Sequence, residues 1–207
     1  LAKELKGLKK FCFDTETDNL DLQKAELVGL SFAWKDHHGW YVPVPAGKEN
    51  AQQVVDHFRE VLESEHIMKV AQNLKYDMLV MERYGISLQG PQFDTMLAHF
   101  LLESDLRHGM DYMSETLLHY RPKPITDLIG PKGKGQKTMR EVPVEDVAEY
   151  AAEDADITWQ LHELLAPQLK EKEQEKLFHD VEMPLVRVLA DMEREGIRLD
   201  VGALKAF

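Results

Sequence analysis

The stretch KKFCFDTETDNLD, residues 9–21, is an apolar run that ends in two acids, Asp14 and Glu16. Its pattern predicts a buried strand over residues 9–15. Side chains two residues apart in a strand point the same way, so Asp14 and Glu16 share one face at the strand's end. Two carboxylates held this close repel each other unless a cation lies between them. Asp-x-Glu is close to a chance occurrence by itself, so its meaning depends on the rest of the chain.

A second copy of the motif, Asp191-Met192-Glu193, lies in a stretch whose apolar residues follow a helical period. In a helix, side chains two residues apart diverge around the axis. We therefore interpret this copy as solvated surface.

The apolar pattern predicts a sheet covered by helices. Three consecutive strands with short links indicate an antiparallel meander, and the rest of the chain alternates strand and helix before becoming mostly helical. The predicted strands are residues 9–15, 26–35, 39–44 and 67–71, and the main predicted helices are residues 50–63, 73–84 and 144–165. This order indicates an α/β or α+β architecture.

Composition narrows the class of protein. With 207 residues and 43% hydrophobic content, the chain has room for one good-sized domain and part of another. Cys12 is the only cysteine, which excludes an internal disulfide and a Cys-based zinc site. No apolar run approaches the ~20 residues that cross a bilayer, and the first residues lack a signal-peptide profile and an initiator Met. We expect a cytoplasmic fragment of a longer protein, with no membrane partner.

The charge is unevenly distributed. The formal net charge is −12, which by itself argues against gripping nucleic acid through phosphate neutralisation. Residues 121–140, however, carry six Lys or Arg against one acid, a local net of +5. This segment is either a solvated Gly/Lys loop or a phosphate-contacting one, and its position relative to an active site decides between them.

Two further groups of residues are candidates for a site. Asn73 suits a helix N-cap, which places Asp77 one turn into the helix near its positive end, where it either serves a site or only complements the dipole. Tyr150 and Asp154 are four apart on a predicted helix and share one face. Together with Asp14 and Glu16, these acids make four carboxylates from three elements, and oxygen-only ligation selects Mg²⁺ or Mn²⁺.

Three motifs, FDTET (13–17), AQNLKYD (71–77) and YAAED (150–154), resemble those of the proofreading 3′–5′ exonuclease domain in bacterial family-A DNA polymerases of the DNA polymerase I type. That domain belongs to the Asp-Glu-Asp-Asp exonuclease superfamily, in its tyrosine subclass. The resemblance extends to LRHGMD (106–111), GKGQKT (133–138) and EDADIT (153–158). It implies an α/β, ribonuclease-H-like fold with a five-stranded mixed sheet flanked by helices.

The resemblance also implies a division of the chain. Residues 1–176 would form the exonuclease domain. The segment EMPLVRVLADMEREGIRLD (182–200) resembles the start of the polymerase domain, so residues 177–207 would be the truncated beginning of that domain. The partners implied are a single-stranded DNA 3′ end and the polymerase domain of the same full-length chain, at the bacterial nucleoid.

The resemblance implies roles for five residues. Asp14, Glu16 and Asp154 would hold the first of two divalent metal ions, Mg²⁺ or Mn²⁺. Asp14 would bridge to the second ion, which Asp77 would contact through water. Tyr150 would orient the attacking water, and a phenol with an ordinary pKa near 10 suits that role better than that of a base.

Six more residues match positions that hold the last nucleotides of a single strand in this family. They are Thr17, Leu20, Gln72, Asn73, Tyr76 and Arg107. Leu20 would wedge against the terminal base, although core packing is the alternative for Leu20 and Tyr76. A surface ion pair is the alternative for Arg107. Stacking and backbone contacts of this kind tolerate any base sequence.

Two other functions remain open. A ribonuclease D-like 3′–5′ exoribonuclease would use the same five catalytic residue types, and the polymerase-like tail argues against it. A noncatalytic scaffold for a replication complex would need none of the carboxylates, and all four are present. Both remain to be separated by experiment from a DNA exonuclease.

Overall fold

The computed structural model describes residues 1–207 and contains a mixed five-stranded sheet in the order β3-β2-β1-β4-β5. The strands are β1 Lys10–Thr17, β2 Leu27–Lys35, β3 His38–Pro43, β4 Met68–Ala71 and β5 Gln92–Asp94. β1, β2 and β3 form the predicted antiparallel meander, while β4 runs parallel to β1 and to β5. The expected five-stranded mixed sheet is confirmed, and β1 is its central strand.

Helices flank the sheet and form most of the second half of the chain. They are α1 Ala2–Leu5, α2 Lys48–Asp56, α3 Arg59–Leu62, α4 Leu74–Glu82, α5 Thr95–Leu102, α6 Met110–Met113, α7 Thr126–Ile129, α8 Val144–Glu171, α9 Glu175–Leu177, α10 Met183–Glu195 and α11 Val201–Ala206. Two π-helical turns, Ser114–Leu118 and Phe178–Glu182, and a 3₁₀ turn, Met139–Glu141, complete the elements. None of the helices combines the length and the apolar character that crossing a bilayer requires.

Tertiary packing changes some predicted boundaries. The single helix predicted over residues 50–63 is two helices, α2 and α3, interrupted at His57 and Phe58. At the interruption the Phe58 ring stacks on Phe32 of β2, with ring centroids 4.9 Å apart. α8 continues past the predicted end at residue 165 and contains Pro167 in its last turns. The hydrophobic pattern does not reveal β5, because three residues are too few to show an alternation.

The two faces of the sheet have different covers. Phe11, Phe13 and Phe32 are fully buried in the main core. α8 packs across β1, β2 and β3 on the face opposite Phe58. Its approach to β3 is very close at Gly39, where an added Cβ would lie 2.2 Å from the carbonyl oxygen of Ala152. Only glycine fits there, so β3 fixes the distance between the sheet and α8 at the turn that contains Tyr150 and Asp154.

The segment after residue 176 packs on the same core. Phe178, Val186 and Ala190 are buried within the main hydrophobic cluster. α10 lies against α4, and Arg187 forms an ion pair with Glu82 there. The opposite side of α10 is apolar and exposed. The division at residue 176 remains a prediction, and α10, which follows it, packs on the core formed by the preceding residues.

Candidate active site

The first two acids lie at the end of the central strand. In the β1–β2 ladder Asp14 is opposite Ser31, and Glu16 is opposite Gly29. The space over Gly29 is filled by the Tyr41 ring, which would lie 2.2 Å from a Cβ at that position. Glu16 is 7% exposed, and Asp14 keeps a partly exposed edge. β1 is paired with β4 only from Lys10 to Cys12, so the backbone that carries these acids is held by its ladder with β2.

Asp77 reaches the same place from the first turn of α4. It is 1% exposed, and its Oδ1 accepts hydrogen bonds from the Thr15 backbone N–H (3.1 Å) and from the Thr15 hydroxyl (2.6 Å). Thr15 thus ties the acid on α4 to the strand segment between Asp14 and Glu16. Both bonds end on Oδ1, which leaves Oδ2 for another partner.

The remaining pair comes from α8. Asp154 is 7% exposed, and Tyr150, one turn earlier on the same face, is partly buried. Burial raises the pKa of Glu16, and the charges of Asp14, Asp154 and Asp77 raise it further. The structure therefore brings together all five residues predicted to be catalytic, from β1, α4 and α8.

Burial dominates the electrostatics of this cluster. It raises the pKa of Asp14 to about 6. It raises the pKa values of Glu16, Asp77 and Asp154 well above their usual range, and the charge of Asp14 adds to the shift in all three. Burial, together with the charges of Asp154 and Glu16, also raises the pKa of Tyr150. The phenol therefore stays protonated at neutral pH, as a hydrogen-bond partner for water would.

The donor set fits a divalent cation. All four side chains offer carboxylate oxygens, the ligands that Mg²⁺ and Mn²⁺ prefer, and none of the four forms an ion pair with Lys, Arg or His. The side chains do not, however, converge as a closed group of three or more metal ligands. Like charges repel at short range, so four anions without a cation are expected to stay apart. That the four carboxylates close around a metal ion thus remains a prediction.

The basic segment lies beside this cluster. Leu128 and Ile129, within residues 121–140, pack with Tyr150 against a small hydrophobic cluster that contains Met139. Arg140 anchors the segment by donating to backbone carbonyls of Leu27 and Val44. Because residues 121–140 lie beside Tyr150, we favour the interpretation that this basic segment contacts phosphate over that of a remote solvated loop.

Thr17, Tyr76 and Leu20 form one edge of the site. The Thr17 hydroxyl and the Tyr76 phenol are hydrogen-bonded at 2.6 Å, and the same phenol donates to the Asn19 carbonyl (3.2 Å). These bonds fix the loop that presents Leu20, which is 86% exposed. Core packing, the alternative for Leu20, is therefore wrong. Tyr76 does pack partly against the core, but its hydroxyl belongs to this edge.

Gln72, Asn73 and Arg107 lie around the start of α4, one turn before Tyr76. The Gln72 amide donates to the carbonyl of His108 (2.9 Å), next to Arg107. Arg107 is exposed and makes no ion pair, so the surface ion pair considered for it is absent. Asn73 is exposed and stands at the start of α4. The six predicted DNA contacts are thus grouped near the start of α4, with Thr17 bonded to Tyr76 and the loop next to Arg107 bonded to Gln72.

Asn73 is the N-cap residue of α4, as predicted, but its side chain does not supply the cap. Asn73 has a left-handed backbone (φ 60°, ψ 49°), and its side chain makes no capping bond. The cap comes from Asp94, at the end of β5, whose carboxylate accepts from the backbone N–H groups of Asn73 (3.1 Å) and Leu74 (2.9 Å). The sequence did contain a signal, since Asp followed by an apolar helical pattern is an N-cap motif. It would have indicated a cap for α5 only.

The second Asp-x-Glu has no such environment. Asp191 pairs with Arg194 at 2.9 Å, and Glu193 pairs with Lys75, all on exposed surface. The interpretation of this copy as solvated surface is confirmed. It provides a natural control for experiments on Asp14 and Glu16.

Gly39→Ala is expected to destabilise the protein by about 1–3 kcal/mol, because the new methyl group overpacks the backbone of α8. If the site is the nuclease that the sequence motifs predict, the rate of nucleotide release should fall as well, since the displaced turn contains Tyr150 and Asp154. Thermal unfolding and release assayed well below the unfolding temperature check both effects. Gly7→Ala is the matched control, because its Cβ would meet only an ordinary contact at 3.4 Å. Equal behaviour of the two variants would show that the close approach at Gly39 is unimportant.

The sheet order and the acids at the end of β1, faced by Tyr150 and Asp154 of α8, place the chain among the ribonuclease-H-like 3′–5′ exonucleases. Solved structures share the fold. Brucella melitensis NrnC with bound Mg²⁺ matches 91% of this chain and 87% of its own with a TM-score of 0.73 at 20% identity. The POL domain of Pol1 from M. smegmatis, in complex with DNA primer-template and dNTP, matches 100% of this chain and 32% of its own with a TM-score of 0.76 at 20% identity.

The chain belongs to the 3′–5′ exonuclease family, whose model matches residues 1–170. It is 33% identical over 208 residues to DNA polymerase I of Borreliella burgdorferi, covering 99% of this chain and 22% of that protein. It is 39% identical over 206 residues to DNA polymerase I of Chloroflexus aurantiacus, covering 97% of this chain and 22% of that protein. The chain thus spans about a fifth of the length of the curated relatives it matches.

Proposed function

We propose that this chain is a metal-dependent 3′–5′ exodeoxyribonuclease that hydrolyses the last phosphodiester of a single-stranded or frayed DNA 3′ end and releases 5′-mononucleotides. The observation that carries the proposal is the cluster of Asp14, Glu16, Asp77 and Asp154. These four carboxylates, from three elements, lie near one another, and none of them has an ion-pair partner. Keeping such groups together is unfavourable by itself, so their arrangement is suited to a bound cation.

Asp14, Glu16 and Asp154 would hold one divalent ion, and Asp14 with Asp77 a second, the latter through water. When bound, such a pair supplies an activated water and stabilises the leaving oxygen of the phosphodiester. Tyr150 remains protonated and orients the attacking water by hydrogen bonding. Thr15 fixes the carboxylate of Asp77 through its two hydrogen bonds.

Two groups of residues beside the carboxylates would hold the 3′ end of the DNA. Leu20, exposed on a loop fixed by Thr17 and Tyr76, is placed to wedge against the terminal base. Gln72, Asn73 and Arg107, around the start of α4, would contact the sugar–phosphate backbone. The basic segment would offset the negative charge of the acids as DNA approaches.

We further propose that residues 177–207 begin the polymerase domain of a longer chain, in which this module proofreads newly made DNA. Two findings support this proposal: the curated relatives are DNA polymerase I proteins, and this chain spans only a small share of their length. The place of action would then be the bacterial cytoplasm, at the nucleoid.

The test is incubation of the protein with 3′-tailed DNA labelled at its 5′ end, in the presence of Mg²⁺ or Mn²⁺. We expect stepwise shortening from the 3′ end and release of mononucleotides, with DNA cleaved faster than an RNA oligonucleotide of matched sequence. Faster cleavage of the RNA would favour the ribonuclease D-like alternative. No cleavage of either strand, together with no Mn²⁺ binding by calorimetry, would favour the scaffold.

A further inference from the structure

Asp94 lies outside the set of acids discussed so far and is 3% exposed at the junction of β5 and α5. Its Oδ1 accepts from the backbone N–H groups of Met96 (2.9 Å) and Leu97 (3.4 Å), which caps its own helix. The same carboxylate accepts from Asn73 and Leu74, the first N–H groups of α4. One side chain thus caps two helices.

The two capped helices differ in what they carry. α5 contributes none of the five residues predicted to be catalytic, whereas α4 begins with Asn73 and presents Asp77 one turn later. Free N–H groups at a helix start need acceptors, and a negative charge there also interacts favourably with the helix dipole. Since Asn73 provides no side-chain cap, Asp94 supplies the acceptors that fix where α4 begins.

The same junction also holds the neighbouring loop. The hydroxyl of Thr95 contacts the Gln72 side-chain oxygen and the Ala71 carbonyl, and the Gln72 amide donates to the His108 carbonyl. A continuous set of hydrogen bonds therefore runs from the end of β5 to the start of α4 and on to the loop next to Arg107.

We propose that Asp94 is a positioning residue of the exonuclease site, which sets the position of Asp77 by capping α4 from the end of β5. This role rests on the proposed function, because it concerns the same metal site. Asp94 would touch neither metal nor DNA. Its effect would pass through the backbone of residues 73–77.

Asp94→Asn separates this role from ordinary capping. The amide keeps one acceptor oxygen, which can serve Asn73, Met96 and Leu97 as Oδ1 does now. Its NH₂ group would replace Oδ2 and face the N–H of Leu74, so the change acts selectively on α4. Val61→Ala is the matched control, because it removes buried volume from α3 and lowers stability without touching the junction.

The experiment compares wild type, Asp94→Asn and Val61→Ala well below their unfolding temperatures. It measures amide hydrogen exchange over residues 73–78, the Mn²⁺ affinity by calorimetry, and mononucleotide release. We expect Asp94→Asn to exchange faster over residues 73–78, to bind Mn²⁺ about tenfold more weakly and to release nucleotides about tenfold more slowly. Val61→Ala should match wild type in all three.

Two results would overturn the proposal, and they are distinguishable. An active wild type with Asp94→Asn unchanged in Mn²⁺ affinity and release, despite a lower unfolding temperature, would show that Asp94 is only a structural cap. A wild type that neither binds Mn²⁺ nor releases nucleotides would overturn the proposed function, and the positioning role with it.

Discussion

Asp14→Ala is expected to lower mononucleotide release from DNA 3′ ends by at least about 10³-fold, the equivalent of several kcal/mol of transition-state stabilisation by metal ions. Asp14 is the acid whose charge acts on Glu16, Asp77 and Asp154 alike. It is therefore the residue best placed to serve both ions, and its loss should affect both. Gel analysis of 5′-labelled DNA measures the rate directly.

Asp191→Ala is the matched control for this substitution. It alters the same residue type in the second Asp-x-Glu, where the carboxylate pairs with Arg194 on the surface. We expect wild-type release from this variant. Release from Asp14→Ala within a few-fold of that of the control would contradict the assignment of Asp14 as a shared metal ligand.

The second large effect concerns stability and changes sign with metal. In chelator-treated protein at about pH 8, Glu16→Gln should raise the free energy of unfolding by about 1 kcal/mol, the usual size of a single stabilising substitution. Burial opposes the charge of Glu16, and Asp14, Asp154 and Asp77 add like-charge repulsion. In a chain of this size we expect Tm to rise by about 2–4 °C per kcal/mol.

Added Mn²⁺ should make the wild type more stable than Glu16→Gln, the reverse of their order in chelator. A ligand that binds only the folded state stabilises it by an amount that grows with the logarithm of its concentration relative to Kd. The Tm of the wild type should therefore rise with Mn²⁺, while that of Glu16→Gln, which should bind the ion more weakly, should rise much less. Glu193→Gln removes one charge of the surface ion pair with Lys75. It should change the free energy of unfolding by no more than about 0.5 kcal/mol, in chelator or in Mn²⁺. A Glu16→Gln protein that is less stable than wild type in chelator, yet responds equally to Mn²⁺, would contradict the account.

The dependence on pH has a definite direction in the chelated wild type. Folding raises the pKa of Asp14 from 3.8 to about 6, so between these values the folded protein binds more protons than the unfolded chain. This contribution to stability is complete below about pH 4 and is lost as the pH rises through 6. The stabilising effect of Glu16→Gln should accordingly shrink as the pH is lowered, because protonation removes the same charge.

The sequence predicted the acids well because their positions follow from local periodicity. Alternation in β1 puts Asp14 and Glu16 on one face, and the helical period of α8 puts Tyr150 and Asp154 on another. What brings these faces together is their packing in the folded chain, which local periodicity does not determine. The three family motifs, not the spacing, supplied that step.

The elements that were missed depend on contacts far apart in the chain. β5 has three residues and becomes a strand only by pairing with β4. The cap of α4 comes from Asp94, 21 residues away from Asn73, and the need for glycine at position 39 comes from Ala152 on α8. No local pattern shows such pairings, because each is set by how α8 and β5 pack on the sheet.

The central claim is that these carboxylates hold a pair of divalent ions, and a crystal structure with Mn²⁺, located by its anomalous scattering, tests it most directly. The account predicts two peaks, one held by Asp14, Glu16 and Asp154 and the other between Asp14 and the water-linked Asp77. Well-ordered crystals grown in Mn²⁺ with no anomalous peak at these four residues would contradict it.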